Sequence, residues 1–222
     1  MTKLWWIVHK DLVSECRARQ VWPRMLALGL AVAYLLSYQL SFAQVELRQI
    51  AGSLCWLTVC IASVLTLGHA IGVEHEDGCW DGLLHYPINA QTVYLAKLIV
   101  NVAALGALQC IVIPFFVLMS GTATLHQAGE IILVSLLGNL GISSIGTLVG
   151  AMSSGIRQSQ GLLALLLLPL LVPVILAASK ATTLIFVNQI GAEWWRWVQL
   201  LGAFAVIYIT AGLVLFEFAI ED

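Results

Sequence analysis

The chain has 222 residues, of which 60% are hydrophobic and only 10% are charged, and its mean hydropathy is +0.95. This apolar content is far above that of ordinary soluble domains, so the composition predicts an integral membrane protein and excludes a large soluble domain. The formal net charge of -2 offers nothing that favours nucleic acid as a partner. Because about 20 apolar residues cross a hydrocarbon core about 30 Å thick, the chain has room for roughly six transmembrane helices.

The first 21 residues predict an amphipathic helix that lies in the membrane interface. Its apolar stripe consists of Trp5, Val8, Leu12 and Cys16, and its basic stripe of Lys3, Lys10 and Arg17. The basic stripe suits anionic headgroups, while Trp5 and Trp6 suit the acyl boundary. The residues Ser41-Phe42-Ala43 resemble a signal-peptidase site. The long start with its acidic residues is unlike a signal peptide, so we expect this first anchor to stay attached.

Six hydrophobic segments follow, at about 22–42, 51–73, 97–119, 130–152, 161–179 and 198–218. They predict an all-α integral membrane protein with one domain, 1–222, made of the interfacial helix 1–21 and a six-helix transmembrane bundle, 22–218. The fourth segment contains Gly146 and Gly150, a pair of small residues that favours close approach of helix backbones. Pro169 and Pro173 predict a bend in the fifth segment.

The stretch 74–87 is the most charged interruption in this apolar sequence. A short helix through it would carry an apolar ridge, an acidic flank and a glycine flank, and the proline would end it. The ridge is Trp80, Leu83 and Leu84, and the acidic flank is Glu74, Asp77 and Asp81 with His85. We therefore predict a docking element for a partner protein, within segment 74–94, composed of Glu74, Glu76, Asp77, Gly78, Trp80, Asp81, Gly82, Leu83, Leu84 and Pro87. The alternatives are a solvated loop or a segment that lies flat among lipid headgroups.

The basic residues predict the orientation, because translocated loops are depleted in Lys and Arg. With the N-terminus inside, seven of the ten basic residues are cytoplasmic and three are outside: Lys3, Lys10, Arg17, Arg19, Arg24, Lys97 and Arg157 against Arg48, Lys180 and Arg196. Both termini and the segment 74–94 are therefore expected in the cytoplasm. The segment 193–197 is expected outside, with its three tryptophans as an interfacial belt.

No sequence pattern predicts catalysis. The phosphate-binding pattern G-x-x-x-x-G-K-[ST] is absent from the sequence, and Asp81 and His85, although four residues apart, have no nucleophile or metal-ligand cluster beside them. The cysteines form no recognisable disulfide framework. We expect no catalytic, cofactor or metal site in this chain. The deepest strongly polar residues, Asn101, Gln109 and Asn139, are expected to form interhelical hydrogen bonds worth about 0.6 kcal/mol each.

One segment of the sequence resembles a known family. Glu76-Asp77-Gly78, Asp81-Gly82-Leu83-Leu84 and Pro87, with Lys97 opening the third crossing, are similar to the CcmB family, haem exporter protein B of cytochrome c maturation. The resemblance extends over nearly the whole chain. It implies a non-catalytic, ABC-2-like permease subunit of the bacterial inner membrane, and it makes residues 74–87 the contact with a separate ATPase that binds ATP. We expect two copies of the chain per complex.

The resemblance also implies further partners: a tryptophan-rich haem-handling membrane subunit, a small membrane subunit and a periplasmic haem chaperone. ATP hydrolysis would then drive haem delivery or release of the haem-loaded chaperone. His69 and His126 lie near opposite membrane borders, about 30 Å apart, so one iron cannot join them, and we expect another subunit to ligate any haem. Two alternatives stay open, an ABC-2-like exporter of another substrate and a structural membrane subunit that transports nothing.

Overall fold

The computed structural model describes residues 5–6, 8–9, 21–42, 47–76, 89–120, 124–153 and 160–221. In these residues the chain forms six long α-helices and one short 3-10 helix, Thr124–Gln127. The long helices are α1 (Val21–Phe42), α2 (Leu47–Glu76), α3 (Ala90–Ser120), α4 (Ala128–Ser153), α5 (Gln160–Phe186) and α6 (Ala192–Glu221). The predicted all-α class is confirmed.

Four helices in the described ranges are long and apolar enough to cross a membrane, over Ala90–Met119, Ala128–Ala151, Leu168–Phe186 and Ala192–Phe216. The helix α1 adds a shorter apolar stretch, Leu26–Tyr38. Large apolar side chains also point outward, since Leu118 is 77% exposed and Ile132 is 66% exposed. Lipid tails, unlike water, solvate such side chains without cost, so the chain has the surface of a multi-pass membrane protein.

The helices extend further than the hydrophobic segments predicted. The helix α3 begins at Ala90, so the prediction that Lys97 opens it was wrong. Its first turn is closed by Asn89, whose carbonyl accepts a hydrogen bond from the amide of Thr92 at 2.8 Å. Likewise α5 continues to Phe186, beyond the predicted 179, and α6 begins at Ala192, before the predicted 198. Hydropathy reports the length inside the hydrocarbon, whereas backbone hydrogen bonds continue a helix through the polar residues outside it.

The helix α4 is the central element of the bundle. Residues 141–151 are all buried, and they include Gly146 and Gly150 of the predicted small-residue pair. Tight packing of this helix is confirmed, and one close contact lies nearer its start. A Cβ atom on Gly138 would lie 2.1 Å from Cη2 of Trp56, so only glycine lets the indole of α2 pass at this point.

The helices α2 and α5 cross with their backbones almost in contact. A Cβ atom on Gly52 would lie 2.5 Å from the backbone nitrogen of Thr183. Two polar contacts join the same pair of helices: Trp56 Nε1 donates to Thr182 Oγ1 at 2.8 Å, and Ser179 Oγ donates to the hydroxyl of Ser53 at 2.7 Å. Small side chains thus permit the approach, and hydroxyl and indole groups hold it where water is absent.

The segment 193–197 differs from its prediction as an aromatic belt. It belongs to the first turns of α6, and Trp194 is only 2% exposed and packs in the main core cluster. Trp195 is 55% exposed and packs edge-on against Trp194, with ring centroids 5.1 Å apart. The belt prediction was therefore wrong for Trp194, because consecutive helical residues point about 100° apart and cannot all face lipid.

Candidate functional site

The predicted docking element joins α2 to α3. Its residues Asp77, Gly78, Trp80, Asp81, Gly82, Leu83, Leu84 and Pro87 lie outside the described residues. Glu74 and Glu76 are in the last turn of α2, a helix of 30 residues, so the start of the element continues a long helix and does not form a separate short one. We call the end of the bundle where α2 ends and α3 begins the coupling end, because force applied to the element would act on these two helices.

Tyr94 connects three helices at the coupling end. This residue of α3 is fully buried, and its hydroxyl lies 2.6 Å from Ser144 Oγ of α4. Its ring packs against Phe216 near the end of α6, with centroids 5.3 Å apart. A Cβ atom on Gly212 would lie 2.0 Å from the Tyr94 hydroxyl oxygen. The start of α3, the second half of α4 and the end of α6 therefore share one buried side chain.

A second polar contact joins α3 and α4. Asn101 Nδ2 donates to Thr147 Oγ1 at 2.9 Å, and Thr147 Oγ1 in turn donates to the carbonyl of Ser143 at 2.7 Å. All three residues are buried. The predicted interhelical hydrogen bond of Asn101 is confirmed, and it fixes the rotation of α3 relative to α4.

The amphipathic N-terminal segment also reaches the coupling end. Val8 is 5% exposed and forms a small cluster with Ala96 and Val100 of α3. Trp5 and Trp6 are 67% and 75% exposed, as expected for side chains that enter the membrane interface. Val8, the start of α3 and the end of α6 therefore lie at the same end of the molecule.

The opposite end of the bundle is joined by two loops. Gln127 Nε2 donates to Oδ1 of Asn188, which links the start of α4 to the turn between α5 and α6. Asn188 has a φ of 61°, a left-handed conformation that asparagine tolerates better than most residues. The exposed His126 lies in the 3-10 helix at this end, whereas the exposed His9 lies beside Val8 at the coupling end.

An apolar groove of about 570 Å³ lies between α3 and α4. Its walls include Gly106, Cys110 and Ile113 of α3, and Ile131 and Ser135 of α4. At Gly106 an added Cβ atom would have no neighbour within 4 Å, because this residue faces the open space of the groove.

Gln109 and Asn139 also line this groove and contact each other across the two helices. Asn139 Nδ2 donates to Gln109 Oε1 at 2.9 Å, so the hydrogen bond predicted for both residues is confirmed. The pair is buried but incompletely bonded, since Gln109 Nε2 and Asn139 Oδ1 have no hydrogen-bond partner. Two facing amides therefore leave one donor and one acceptor unused.

The side-chain contacts described above connect the helices to one another, and their polar part consists mainly of interhelical hydrogen bonds. In the part of the chain that the structure describes, no group of three or more His, Cys, Asp or Glu residues is placed to hold a metal ion. Sequence reasoning missed Tyr94 and Gly212. The signal was weak, since one tyrosine and one glycine more than 100 positions apart do not predict a contact.

The fold defines a class of protein: a multi-pass α-helical membrane protein whose described helices pack into a bundle. The family described as CcmB protein matches residues 2–221, and the chain belongs to this family.

Curated relatives agree with this assignment. "Heme exporter protein B" of Rhodobacter capsulatus is 30% identical over 175 residues, which cover 78% of this chain and 79% of the relative. The protein of the same name from Paracoccus denitrificans is 27% identical over 179 residues, covering 79% and 80% of the two chains. That from Pseudomonas aeruginosa is 29% identical over 136 residues, covering 61% and 60%.

Proposed function

We propose that this chain is the membrane permease subunit of an ABC-type complex that exports or delivers haem for cytochrome c maturation. The observation that carries the proposal is the family match over residues 2–221, together with relatives named heme exporter protein B. As a subunit without its own nucleotide site, it receives work from ATP hydrolysis in a partner chain. That work is used for haem delivery or for release of a haem-loaded periplasmic chaperone.

The architecture that we propose for this function is an ABC-2-like bundle with six crossings in the bacterial inner membrane. Four helices in the described ranges meet the length and hydropathy of a crossing. The helices α1 and α2 have 22 and 30 residues, or about 33 Å and 45 Å at 1.5 Å per residue, enough to span a core of about 30 Å as a first hairpin.

The partners that we propose meet the bundle at different places. The ATPase contacts residues 74–87 at the coupling end, where α2, α3 and, through Tyr94, α4 and α6 respond together. A tryptophan-rich haem-handling membrane subunit, a small membrane subunit and a periplasmic haem chaperone complete the complex. We also propose that another subunit ligates haem; His9 and His126, at opposite ends of the bundle about 30 Å apart, are too far apart to bind one iron together.

Deleting this chain should abolish the attachment of haem to c-type cytochromes, while cytochromes that hold haem without a covalent bond persist. Haem staining of membrane proteins on denaturing gels measures the first, and reduced-minus-oxidised spectra measure the second. The wild-type chain restores covalent attachment, and an ATPase and haem-handling subunits co-purify with it in mild detergent. Full cytochrome c assembly in the deleted strain would refute the proposed function.

Both termini and the docking element should be cytoplasmic. Alkaline phosphatase fused after residue 221 or within 77–88 is therefore expected to be inactive, whereas a fusion in the turn at Gln189 is expected to be active. The reason is that Val8, the start of α3 and the end of α6 share one end of the bundle, and that the sequence predicts seven of the ten basic residues on the cytoplasmic side. Phosphatase activity after residue 221 would reverse this orientation.

A structural subunit that transports nothing is the second candidate. It is favoured by one observation, that the groove between α3 and α4 is lined mainly by apolar side chains. ATP-dependent haem release from vesicles containing the whole complex separates the two. Release that persists without this chain favours the structural role.

A further inference from the structure

The groove between α3 and α4 contains two buried polar atoms whose hydrogen-bonding capacity is unused. Gln109 is 2% exposed and Asn139 is 3% exposed, yet Gln109 Nε2 and Asn139 Oδ1 have no partner. A buried donor or acceptor without a partner is destabilising, and one incoming group that both donates and accepts would satisfy both atoms. Rotation about the bonds of the Gln109 side chain turns its amide toward the groove without moving a helix.

The depth of the pair shows which group can reach it. Asn139 lies within two residues of the middle of α4, which extends from Ala128 to Ser153, and so about 3 Å from the centre of that helix. With a hydrocarbon core about 30 Å thick, the pair lies more than about 10 Å from either headgroup layer. Lipid tails at this depth consist of methylene groups, which neither donate nor accept hydrogen bonds. A polar side chain carried by a transmembrane helix does both at this depth.

The shape of the groove selects between a second copy and a different chain. Two copies that met groove to groove would place a concave surface against a concave surface, with a void of about 570 Å³ on each side. Interfaces pack closely, so a convex helix fits the groove better. The rim supports the same conclusion, because Ile132 and Leu136 are 66% and 50% exposed and offer an apolar surface to such a helix.

We infer that the α3–α4 groove binds a transmembrane helix of another subunit, whose asparagine or glutamine side chain completes the Gln109–Asn139 pair at the middle of the membrane. The carboxamide fits because it provides one N–H donor for Asn139 Oδ1 and one carbonyl acceptor for Gln109 Nε2. The inference goes beyond the proposed function and requires neither haem nor ATP. Its failure would leave the role in cytochrome c maturation unaffected.

The test uses the full chain in lipid vesicles and the native Cys110, which is exposed and lines the groove. Cys16→Ser and Cys79→Ser remove two other thiols, and Cys55 and Cys60 are buried. The probe is a peptide of about 20 leucines with one central asparagine and a cysteine one turn away, and its control has leucine in place of asparagine. Oxidation with copper phenanthroline then forms a disulfide where the peptide occupies the groove.

The asparagine peptide should give about eightfold more disulfide to Cys110 than the leucine peptide, the ratio that corresponds to two average interhelical hydrogen bonds. Gln109→Leu with Asn139→Leu should remove this preference. Replacing both partners by apolar groups preserves the packing of the pair, so the variant is expected to fold. Asn101→Leu with Thr147→Val is the matched control, because it removes a buried pair between the same helices outside the groove. The preference should survive that change.

A variant that fills the groove provides a second test in case Gln109→Leu with Asn139→Leu fails to fold. Gly106→Leu puts an apolar side chain into the groove at a position where an added Cβ has no neighbour within 4 Å, and it should block crosslinking of both peptides, whereas Gly202→Leu, at another open glycine in α6, should not. Equal yields for the two peptides, or no disulfide with either, would overturn the inference. A Cys110–Cys110 dimer as the main product would also overturn it, because it would identify a second copy as the occupant. So would lipid that co-purifies with the chain but is lost in Gly106→Leu, if neither peptide forms a crosslink.

Discussion

Gly212→Ala is expected to destabilise the bundle, although alanine is the better helix former. The new methyl group would lie 2.0 Å from the hydroxyl oxygen and 2.3 Å from Cζ of Tyr94. The ring cannot move away easily, because it is fully buried and holds Ser144 on one side and Phe216 on another. Overpacking of this kind costs about 1–3 kcal/mol, which exceeds the gain of about 0.5–1 kcal/mol from replacing glycine in a helix.

The matched control for this change is Gly202→Ala in the same helix, since no atom lies within 4 Å of the added methyl group. The control should be neutral or slightly stabilising, and thermal aggregation of the two purified variants in detergent measures the difference. Tyr94→Phe alone should cost about 1 kcal/mol by removing the hydrogen bond to Ser144. In the Gly212→Ala background it should cost less, because the atom closest to the methyl group is then absent. Additive effects would show that the Tyr94 hydroxyl is not the obstacle.

Trp80→Ala together with Leu83→Asp should abolish co-purification of the ATPase and assembly of cytochrome c. The two residues belong to the predicted apolar ridge of the proposed docking element, and an aspartate forced against an apolar partner surface loses its hydration, at a cost of several kcal/mol. Immunoblots of the purified complex and haem staining of membranes measure the two effects. A normal amount of ATPase with normal cytochrome c would disprove docking through this ridge.

The control for the docking variant is Gln189→Asp, which introduces the same charge at an exposed position between α5 and α6, at the opposite end of the bundle. It should leave both readouts unchanged. The amount of each variant in the membrane fraction is measured alongside, because loss of the chain itself would imitate loss of docking. If both variants lost the ATPase at normal membrane levels, the effect would not be specific to the coupling end.

The Gln109–Asn139 and Asn101–Thr147 contacts illustrate how far sequence reasoning extends for this chain. A strongly polar residue in the middle of an apolar segment must find a partner in another helix, so interhelical bonds of Asn101, Gln109 and Asn139 were predictable. Their partners were not, because a sequence without tertiary contacts does not state which helices are adjacent. That Gln109 Nε2 and Asn139 Oδ1 lack hydrogen-bond partners depends on the positions of both side chains in the folded bundle.

The sequence by itself determined the class of the protein, the positions of its apolar segments and the charged stretch between α2 and α3, since these follow from composition and from the thickness of the hydrocarbon core. Only the tertiary structure decided that Trp194 is core, that Tyr94 needs Gly212 beside it, and that Val8 packs on the start of α3. The physical reason is that hydropathy reports whether a side chain avoids water. Burial by protein and burial by lipid are alike in that respect, so the choice between them depends on which helices pack together.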